Sequence, residues 1–331
     1  MLSIIITCRN TEKYIRQCVD SVLAQECGQK EIILVSDDSQ DPVCKKMEEY
    51  RAANPNVVKL IIQNHNHMAG GARNMGLQMA VGDFVSFVDG DDWISSGMYA
   101  ALLAEFDNQQ VDMACCNYNE VFMEDGRVEH RMLWPNVGKC TIESNKAPGL
   151  FLKESYCWNL IYRRSLLDRI KFRFFEDTIY DDLACHVAFA ASRKISYLPE
   201  YYYWHRKYSS STIESANTAK HCTIISATRR LVLRMRELGL YESFRVEMNE
   251  LLQTYLFRYM HYLMLRGSVD ISPAILRSCA SVFEELGGEL DPNDKDYILY
   301  LRQMHDPLFV AGILKNGTLT KAASWRGKVD G

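Results

Sequence analysis

Short apolar runs alternate with longer amphipathic segments through the first third of the chain. The runs that predict strands are Leu2–Thr7, Glu31–Ser36, Val57–Gln63 and Asp83–Val88. The segments between them have apolar residues three or four positions apart, and they predict helices near Glu12–Gln25, Val43–Ala52 and Gly71–Met79. Strands that alternate with helices favour right-handed βαβ units and a parallel sheet covered on both faces. This part therefore predicts an α/β domain.

The pattern changes after Trp93. A helix is predicted at Ser95–Phe106, then strands at Val111–Phe122 and Val128–Leu133 that enclose a turn at 124–127. Residues 150–213 mix helix with aromatic strand. The remaining pattern predicts helices near Thr218–Leu238, Glu242–Arg266, Pro273–Leu286 and Asn293–Met304. We therefore predict an α/β domain over residues 1–213, followed by a helical region over residues 214–331.

Composition narrows the class of protein. The 331 residues are 47% apolar and 24% charged, as in soluble globular proteins, and the net charge of −4 argues against a nucleic-acid-binding protein. No apolar run is long enough to cross a membrane, and the first residues resemble a strand more than a signal peptide. The eleven cysteines have no metal-binding spacing, so reduced thiols and a cytoplasmic location are expected.

The most informative segment is Phe84–Trp93, with the sequence FVSFVDGDDW. A buried strand ends there in three carboxylates, Asp89, Asp91 and Asp92, whose mutual repulsion calls for a compensating cation. Mg²⁺ and Mn²⁺ bind carboxylate oxygens and complete their coordination with water and substrate phosphates. An Asp-x-Asp pair here therefore suits a nucleotide diphosphate. The alternative is a solvated loop, in which Asp92 or Ser95 caps the next helix. For Asp92 we expect a role in capping that helix or in orienting Arg73 rather than in binding the metal.

Other polar residues follow the earlier strands. Thr7 and Arg9 come after the first strand, and Asp37 and Asp38 come after the second. Ligands of open α/β sheets bind beyond the carboxyl ends of the strands. The sequence therefore predicts one ligand site that gathers these side chains with the three aspartates.

Five segments, in order, resemble motifs of glycosyltransferase family 2. They are SIIITCRN at 3–10, CVDSVLAQ at 18–25, ILVSDDSQD at 33–41, GARNMG at 71–76 and FVDGDDW at 87–93. Weaker similarity continues through CWN at 157–159, YRR at 162–164, YDD at 180–182 and YYWHR at 202–206. Departures from the family pattern fall at Ser36, Leu160 and Asp181. The resemblance implies a GT-A fold, which is Rossmann-like and mostly parallel, and a nucleotide-sugar substrate.

The resemblance also implies roles on the donor side. Asp91 would bind Mn²⁺ or Mg²⁺ directly, and Asp89 would bind the metal through water or bind the ribose. Asp37 would accept a hydrogen bond from uracil or ribose, and Arg73 would contact phosphate or base; Thr7 and Arg9 are placed in the same nucleotide-sugar site. The alternatives are a turn residue for Asp37 and a surface charge for Arg73.

The second half of the chain supplies further candidates. Arg206, with Lys207, is suited to covering a diphosphate as a loop closes. His205 is either a third metal ligand or a packed core residue, and Trp158 is either a platform for an acceptor sugar or a core residue. The Asp181–Asp182 pair offers a general base, and the family match selects Asp182.

Three functions fit these features. The first is an inverting, metal-dependent transfer of a sugar from a UDP-sugar to a hydroxyl of a polysaccharide or lipid-linked glycan. A nucleotidyltransferase is disfavoured because Thr7–Asn10 has no glycine-rich phosphate loop. A non-catalytic scaffold with the same fold is the third. For the C-terminal helices, we expect packing against the catalytic domain, or else dimerisation or attachment to an anionic membrane surface.

Overall fold

A computed structural model describes residues 1–64, 68–153, 156–209, 212–213, 216–265 and 273–288. Its N-terminal part alternates strands with helices. The strands are β1 (Leu2–Thr7), β2 (Lys30–Ser36), β3 (Val58–Ile62) and β4 (Phe84–Asp89). The helices between them are α1 (Ile15–Leu23), α2 (Val43–Ala53) and α3 (Met68–Met79). The predicted elements are confirmed, although α1 begins three residues later than expected.

These four strands are parallel and lie in the order β3-β2-β1-β4. Their apolar side chains are buried, because helices cover both faces of the sheet. The register pairs Thr7 of β1 with Asp89 of β4, so the carboxyl ends of these two strands lie side by side. The predicted edge for ligand binding is therefore formed as expected.

The second half extends the same sheet with mixed strand directions. Its strands are β5 (Trp93–Ile94), β6 (Val111–Phe122), β7 (Val128–Arg131), β8 (Cys140–Glu143), β9 (Leu160–Arg163) and β10 (Lys194–Lys207). Its helices are α4 (Met98–Ala104), α5 (Pro148–Lys153), α6 (Arg164–Arg169) and α7 (Cys185–Ala191). β9 is antiparallel and joins β4 to β6, and β10 runs parallel to β6. The predicted hairpin between β6 and β7 is confirmed.

The C-terminal helices pack onto this sheet domain. They are α8 (Thr218–Glu237), α9 (Arg245–Gln253), α10 (Tyr259–Leu265) and α11 (Pro273–Glu285), with a π-helical turn at Thr254–Arg258 between α9 and α10. The ring of Phe244 lies 4.7 Å from that of Phe151 in α5, and both belong to one apolar core that runs through both regions. The described helices therefore serve as packing elements, and dimerisation and membrane attachment stay predictions. The helix predicted near Asn293–Met304 lies outside the described residues.

No helix in the described part of the chain combines the length and the apolarity needed to cross a membrane.

Candidate active site

Side chains at or just after the ends of β1, β2 and β4 lie at the carboxyl edge of the parallel strands. The Thr7 hydroxyl donates to Asp89 Oδ1 at 3.3 Å, and Arg9 Nη1 donates to Asp37 Oδ2 at 3.4 Å. Asp37 is buried, and this burial raises the pKa of its carboxyl while the nearby Arg9 opposes the rise. The structure thus brings Thr7, Arg9, Asp37 and Asp89 to one edge, as the strand order predicts.

A tight turn directs the three aspartates that follow β4. Gly90 N–H donates to the Thr7 carbonyl at 2.9 Å, and a Cβ atom at residue 90 would lie 2.5 Å from that oxygen. Only glycine fits this close approach of two backbone segments. The turn leaves Asp91 partly accessible, where its Oδ2 accepts a hydrogen bond from the Tyr208 hydroxyl at 2.6 Å. Burial raises the pKa of Asp91, and the nearby charge of Asp89 raises it further, by a smaller amount.

Asp92 has a structural role that differs from the two expected for it. Its fully buried carboxylate accepts hydrogen bonds from the Tyr203 hydroxyl and from the backbone N–H of Arg206, both at 2.8 Å. It therefore neither caps α4 nor contacts Arg73. Instead it ties the turn after β4 to strand β10. Both partners come from a strand more than a hundred residues away, which explains why local sequence analysis did not find them.

Arg73 lies at the centre of the site. Its Nη2 donates to Asp89 at 2.6 Å, and its Nη1 donates to Asp181 and, at 3.2 Å, to Asp182. The residue is only 4% exposed, so it is not a surface charge. Both terminal nitrogens are engaged by carboxylates, whereas Nε is buried and forms no hydrogen bond within the described residues, so the predicted contact with phosphate or base stays a prediction.

Helix α3 presents Arg73 through its close approach to the segment that precedes Asp181. A Cβ atom at residue 70 would lie 2.3 Å from the Phe175 carbonyl oxygen, so glycine lets the two backbones meet. The Asn74 side chain then holds the neighbouring backbone, since it donates to the Phe174 carbonyl at 3.0 Å and accepts from the Phe174 N–H at 2.8 Å. The GGARN sequence thus positions Arg73 at the aspartates.

The two aspartates at 181 and 182 occupy different environments within a 3₁₀ turn, Asp181–Ala184. The Asp181 side chain is 6% exposed, whereas that of Asp182 is 25% exposed. Burial raises the pKa of Asp182 to about 7, with a further rise from Asp181 and an opposing effect of Arg73. Asp182 is therefore the more accessible carboxylate and can take up a proton near neutral pH. Its role as base stays a prediction.

The Arg206 side chain lies in an aromatic cage. Its guanidinium carbon lies 4.6 Å from the ring centre of Tyr14 and 4.3 Å from that of Trp93, and its Nη2 donates to Gln17 at 2.5 Å. Its Nη1 is buried and forms no hydrogen bond within the described residues. One donor of this arginine is thus unused, and the predicted diphosphate contact stays a prediction.

Trp158 and His205 belong to a packed aromatic cluster. Trp158 is 2% exposed, with its ring stacked 4.2 Å from that of Tyr203 and 4.7 Å from that of Tyr156. Its indole offers no open face to an acceptor sugar, so the packing supports the core alternative. His205 lies 5.4 Å from Trp158, and burial lowers its pKa to about 4.

The described residues contain no cluster of three or more His, Cys, Asp or Glu side chains arranged as a complete metal site. The metal roles of Asp89, Asp91 and His205 stay predictions. Four residues of the site were given no role from the sequence. Tyr208 contacts Asp91, whereas Tyr203, Tyr14 and Gln17 contact Asp92 or Arg206. Only the aromatic composition of the segment around β10, which contains Tyr203 and Tyr208, could have indicated them.

A mostly parallel sheet of this order, covered by helices, is an α/β architecture that matches the GT-A fold. The chain belongs to glycosyl transferase family 2, whose profile matches residues 3–171. The family and fold predicted from the sequence motifs are thereby confirmed.

Two relatives and one solved structure illustrate the similarity. The uncharacterized glycosyltransferase EpsJ of Bacillus subtilis (strain 168) is 29% identical over 223 residues, which cover 65% of this chain and 63% of EpsJ. The putative glycosyltransferase EpsH of the same organism is 30% identical over 219 residues, which cover 64% of this chain and 62% of EpsH. This chain thus matches less than two thirds of the length of either relative.

The structural comparison concerns the fold. Residues 1–349 of S. aureus TarS, in complex with UDP-GlcNAc, superpose with a TM-score of 0.71 at 22% identity, covering 86% of this chain and 81% of that chain.

Proposed function

We propose that the protein is an inverting, metal-dependent glycosyltransferase that transfers a sugar from a UDP-sugar to a hydroxyl of a polysaccharide or lipid-linked glycan. One observation carries the proposal. Asp89, at the end of β4 where the donor would bind, and Asp182, in the 3₁₀ turn before α7, both contact the Arg73 guanidinium. Family membership and the UDP-GlcNAc bound by the fold relative TarS support a nucleotide-sugar donor.

The proposed reaction is a direct displacement. The acceptor oxygen forms a bond to the anomeric carbon while the bond from that carbon to the diphosphate oxygen breaks. Asp182 accepts the proton of the acceptor hydroxyl, which suits a carboxylate whose pKa lies at about 7. Thr7, Arg9 and Asp37 would bind the nucleotide. The buried Nη1 of Arg206 is a free donor for the diphosphate.

The residues at the turn after β4 fit a divalent cation. Asp92 is held by Tyr203 and Arg206, which leaves Asp89 and Asp91 for a metal; Asp89 pairs with Arg73, whereas Asp91 has no cationic partner among the described ion pairs. Asp91 and Asp89 would hold Mn²⁺ or Mg²⁺, because hard cations prefer carboxylate oxygens. When bound, the metal would neutralise the charge that develops on the diphosphate.

Asp91→Asn tests the donor site. We expect the variant to fold and to lose the increase in UDP affinity that Mn²⁺ gives. Its UDP affinity in the presence of Mn²⁺ should fall about 10- to 100-fold, the loss that is typical even when an outer-shell partner of a metal is replaced. Thermal shift and calorimetric titration with UDP, with and without Mn²⁺, measure this effect. Asp168→Asn, on the exposed side of α6, is the matched control. Unchanged Mn²⁺-dependent affinity in folded Asp91→Asn would refute the metal assignment.

Inversion at the anomeric carbon is a separate prediction. A mechanism with one base and no protein nucleophile forms the new bond on the face opposite the leaving group, so an α-linked donor yields a β-linked product. The anomeric proton coupling in the NMR spectrum of the first-formed product measures this. A product that retains the donor configuration would contradict direct displacement.

A further inference from the structure

The Arg73 guanidinium joins two parts of the site that no backbone hydrogen bond of the described residues connects directly. Asp89 ends strand β4, whereas Asp182 lies in the 3₁₀ turn before α7. One nitrogen of Arg73 contacts each of them, at 2.6 Å and 3.2 Å. The guanidinium is planar and its donors have a fixed spacing, so it can set the separation of two carboxylates as a single point charge cannot.

We propose that Arg73 is a positioning residue, which holds the donor-side carboxylate of Asp89 and the base-side carboxylate of Asp182 in one fixed arrangement. This inference rests on the proposed function, because it assigns those two sides to the donor and to the base. Arg73 need not touch the substrate for this role.

Three features of its surroundings restrict the movement of the Arg73 side chain. Arg73 is buried, and its Nη1 also donates to Asp181, whose side chain is buried too. Asn74, the next residue, fixes the backbone at Phe174 through a reciprocal pair of hydrogen bonds. The guanidinium carbon of Arg73 also lies 5.5 Å from the centre of the Phe174 ring. The side chain thus has little freedom to follow a ligand, which favours positioning over direct binding.

The charges around Asp182 make the role measurable. Arg73 faces it from α3, Asp181 adjoins it in the same turn, Asp89 faces it from β4, and the Cys157 side chain hydrogen-bonds to it from the segment before β9. Arg73 favours the ionised form of Asp182, whereas Asp181 disfavours it. Arg73→Gln should therefore raise the pKa of Asp182, whereas Asp181→Asn should lower it.

The kinetic test uses the full chain and four variants. In Arg73→Lys the charge is kept and the planar fork is lost, so we expect kcat to fall about 10²-fold, as small misplacements of reacting groups do, with a smaller change in KM. Arg73→Gln and Asp181→Asn should shift the acidic limb of the kcat profile to higher and lower pH, respectively. Arg193→Gln is the matched control, since Arg193 forms an ion pair with the buried Asp112 at the amino end of β6 and does not belong to the candidate site.

A readout that needs no activity separates this inference from the proposed function. Titration of ¹³C-labelled aspartate carboxyls by NMR, with the Asp182 signal assigned from Asp182→Asn, reports its pKa directly. If the wild type transferred no sugar, the proposed function would fail while the titration still measured the coupling. If the pKa of Asp182 were equal in Arg73→Gln and Arg193→Gln, or if Arg73→Lys kept wild-type kcat, the positioning role would be refuted. Should Arg73→Gln not fold, Arg73→Lys decides.

Discussion

Asp182→Asn is expected to lower the rate of sugar transfer about 10²- to 10⁴-fold, the usual loss when a general base is removed. The substitution keeps the size of the side chain and an oxygen that can accept a hydrogen bond from Arg73. It removes only the ability to take up the acceptor proton. Affinity for UDP with Mn²⁺ should therefore stay near the wild-type value, so that the loss is confined to kcat.

The pH dependence follows from the same side chain. Burial raises the pKa of Asp182 to about 7, so the carboxyl is protonated and inactive as a base below that pH. The wild-type rate should rise as pH increases through about 7. Because the folded state binds this proton more tightly than the unfolded state, the same ionisation lowers stability as pH rises from the ordinary value of an aspartate toward 7.

The neighbouring aspartate is the matched control for this experiment. Asp181→Asn changes a carboxylate of the same turn, but that carboxylate is buried and turned toward Arg73. It should keep most of the activity, with its pH profile displaced to lower pH. Steady-state rates across pH 5–9, together with UDP titrations, compare the three proteins. An inactive Asp181→Asn beside a nearly normal Asp182→Asn would reverse the assignment.

The sheet could be predicted from the sequence because its signals are local. Apolar β-branched runs and helical spacing within a dozen residues defined β1 to β4, and parallel pairing then required the polar residues after them to share one edge. The family motifs added the order of these elements. Thr7 and Asp89 accordingly lie in register, as parallel strands demand.

The side-chain partners within the site could not be predicted in this way. Arg73 is separated from Asp182 by 109 positions, and Asp92 from Tyr203 by 111 positions, and no periodic pattern records such a pair. Residue type was also ambiguous, because an arginine after two glycines suits a phosphate as well as it suits buried carboxylates. Burial decides between these alternatives, and burial depends on the packing of α3 against the segment before Asp181.

The C-terminal helices show the same dependence on packing. The sequence offered three interpretations for their apolar surface, and the structure buries much of that surface: Ile224, Leu231, Val232 and Met235 of α8 are all inaccessible to solvent. Helix α8 also reaches the site, since His221 Nδ1 lies 2.7 Å from the hydroxyl of Tyr180, the residue before Asp181. The helices thus support the segment that carries the predicted base.

Two leucines of α8 allow this support to be measured in a matched pair. Leu231 is fully buried, whereas Leu233, two residues along the same helix, is 49% exposed. Leu231→Ala should lower the free energy of unfolding by about 2–5 kcal/mol, because it removes buried apolar atoms and leaves a cavity. Leu233→Ala should change it by no more than about 0.5 kcal/mol.

Urea unfolding of both variants, followed by circular dichroism and by the fluorescence of the tryptophans, measures the difference. If α8 is part of the catalytic core, Leu231→Ala should shift a single cooperative transition that both probes report together. If the helices were an independent appendage, the signal of Trp93, Trp134, Trp158 and Trp204, which all precede α8 in sequence, would keep its wild-type midpoint; a Trp325→Phe background removes the fifth tryptophan, which lies in the C-terminal region. Equal effects of the two substitutions would also contradict the packing, since helix propensity is the same at both positions and burial is what differs.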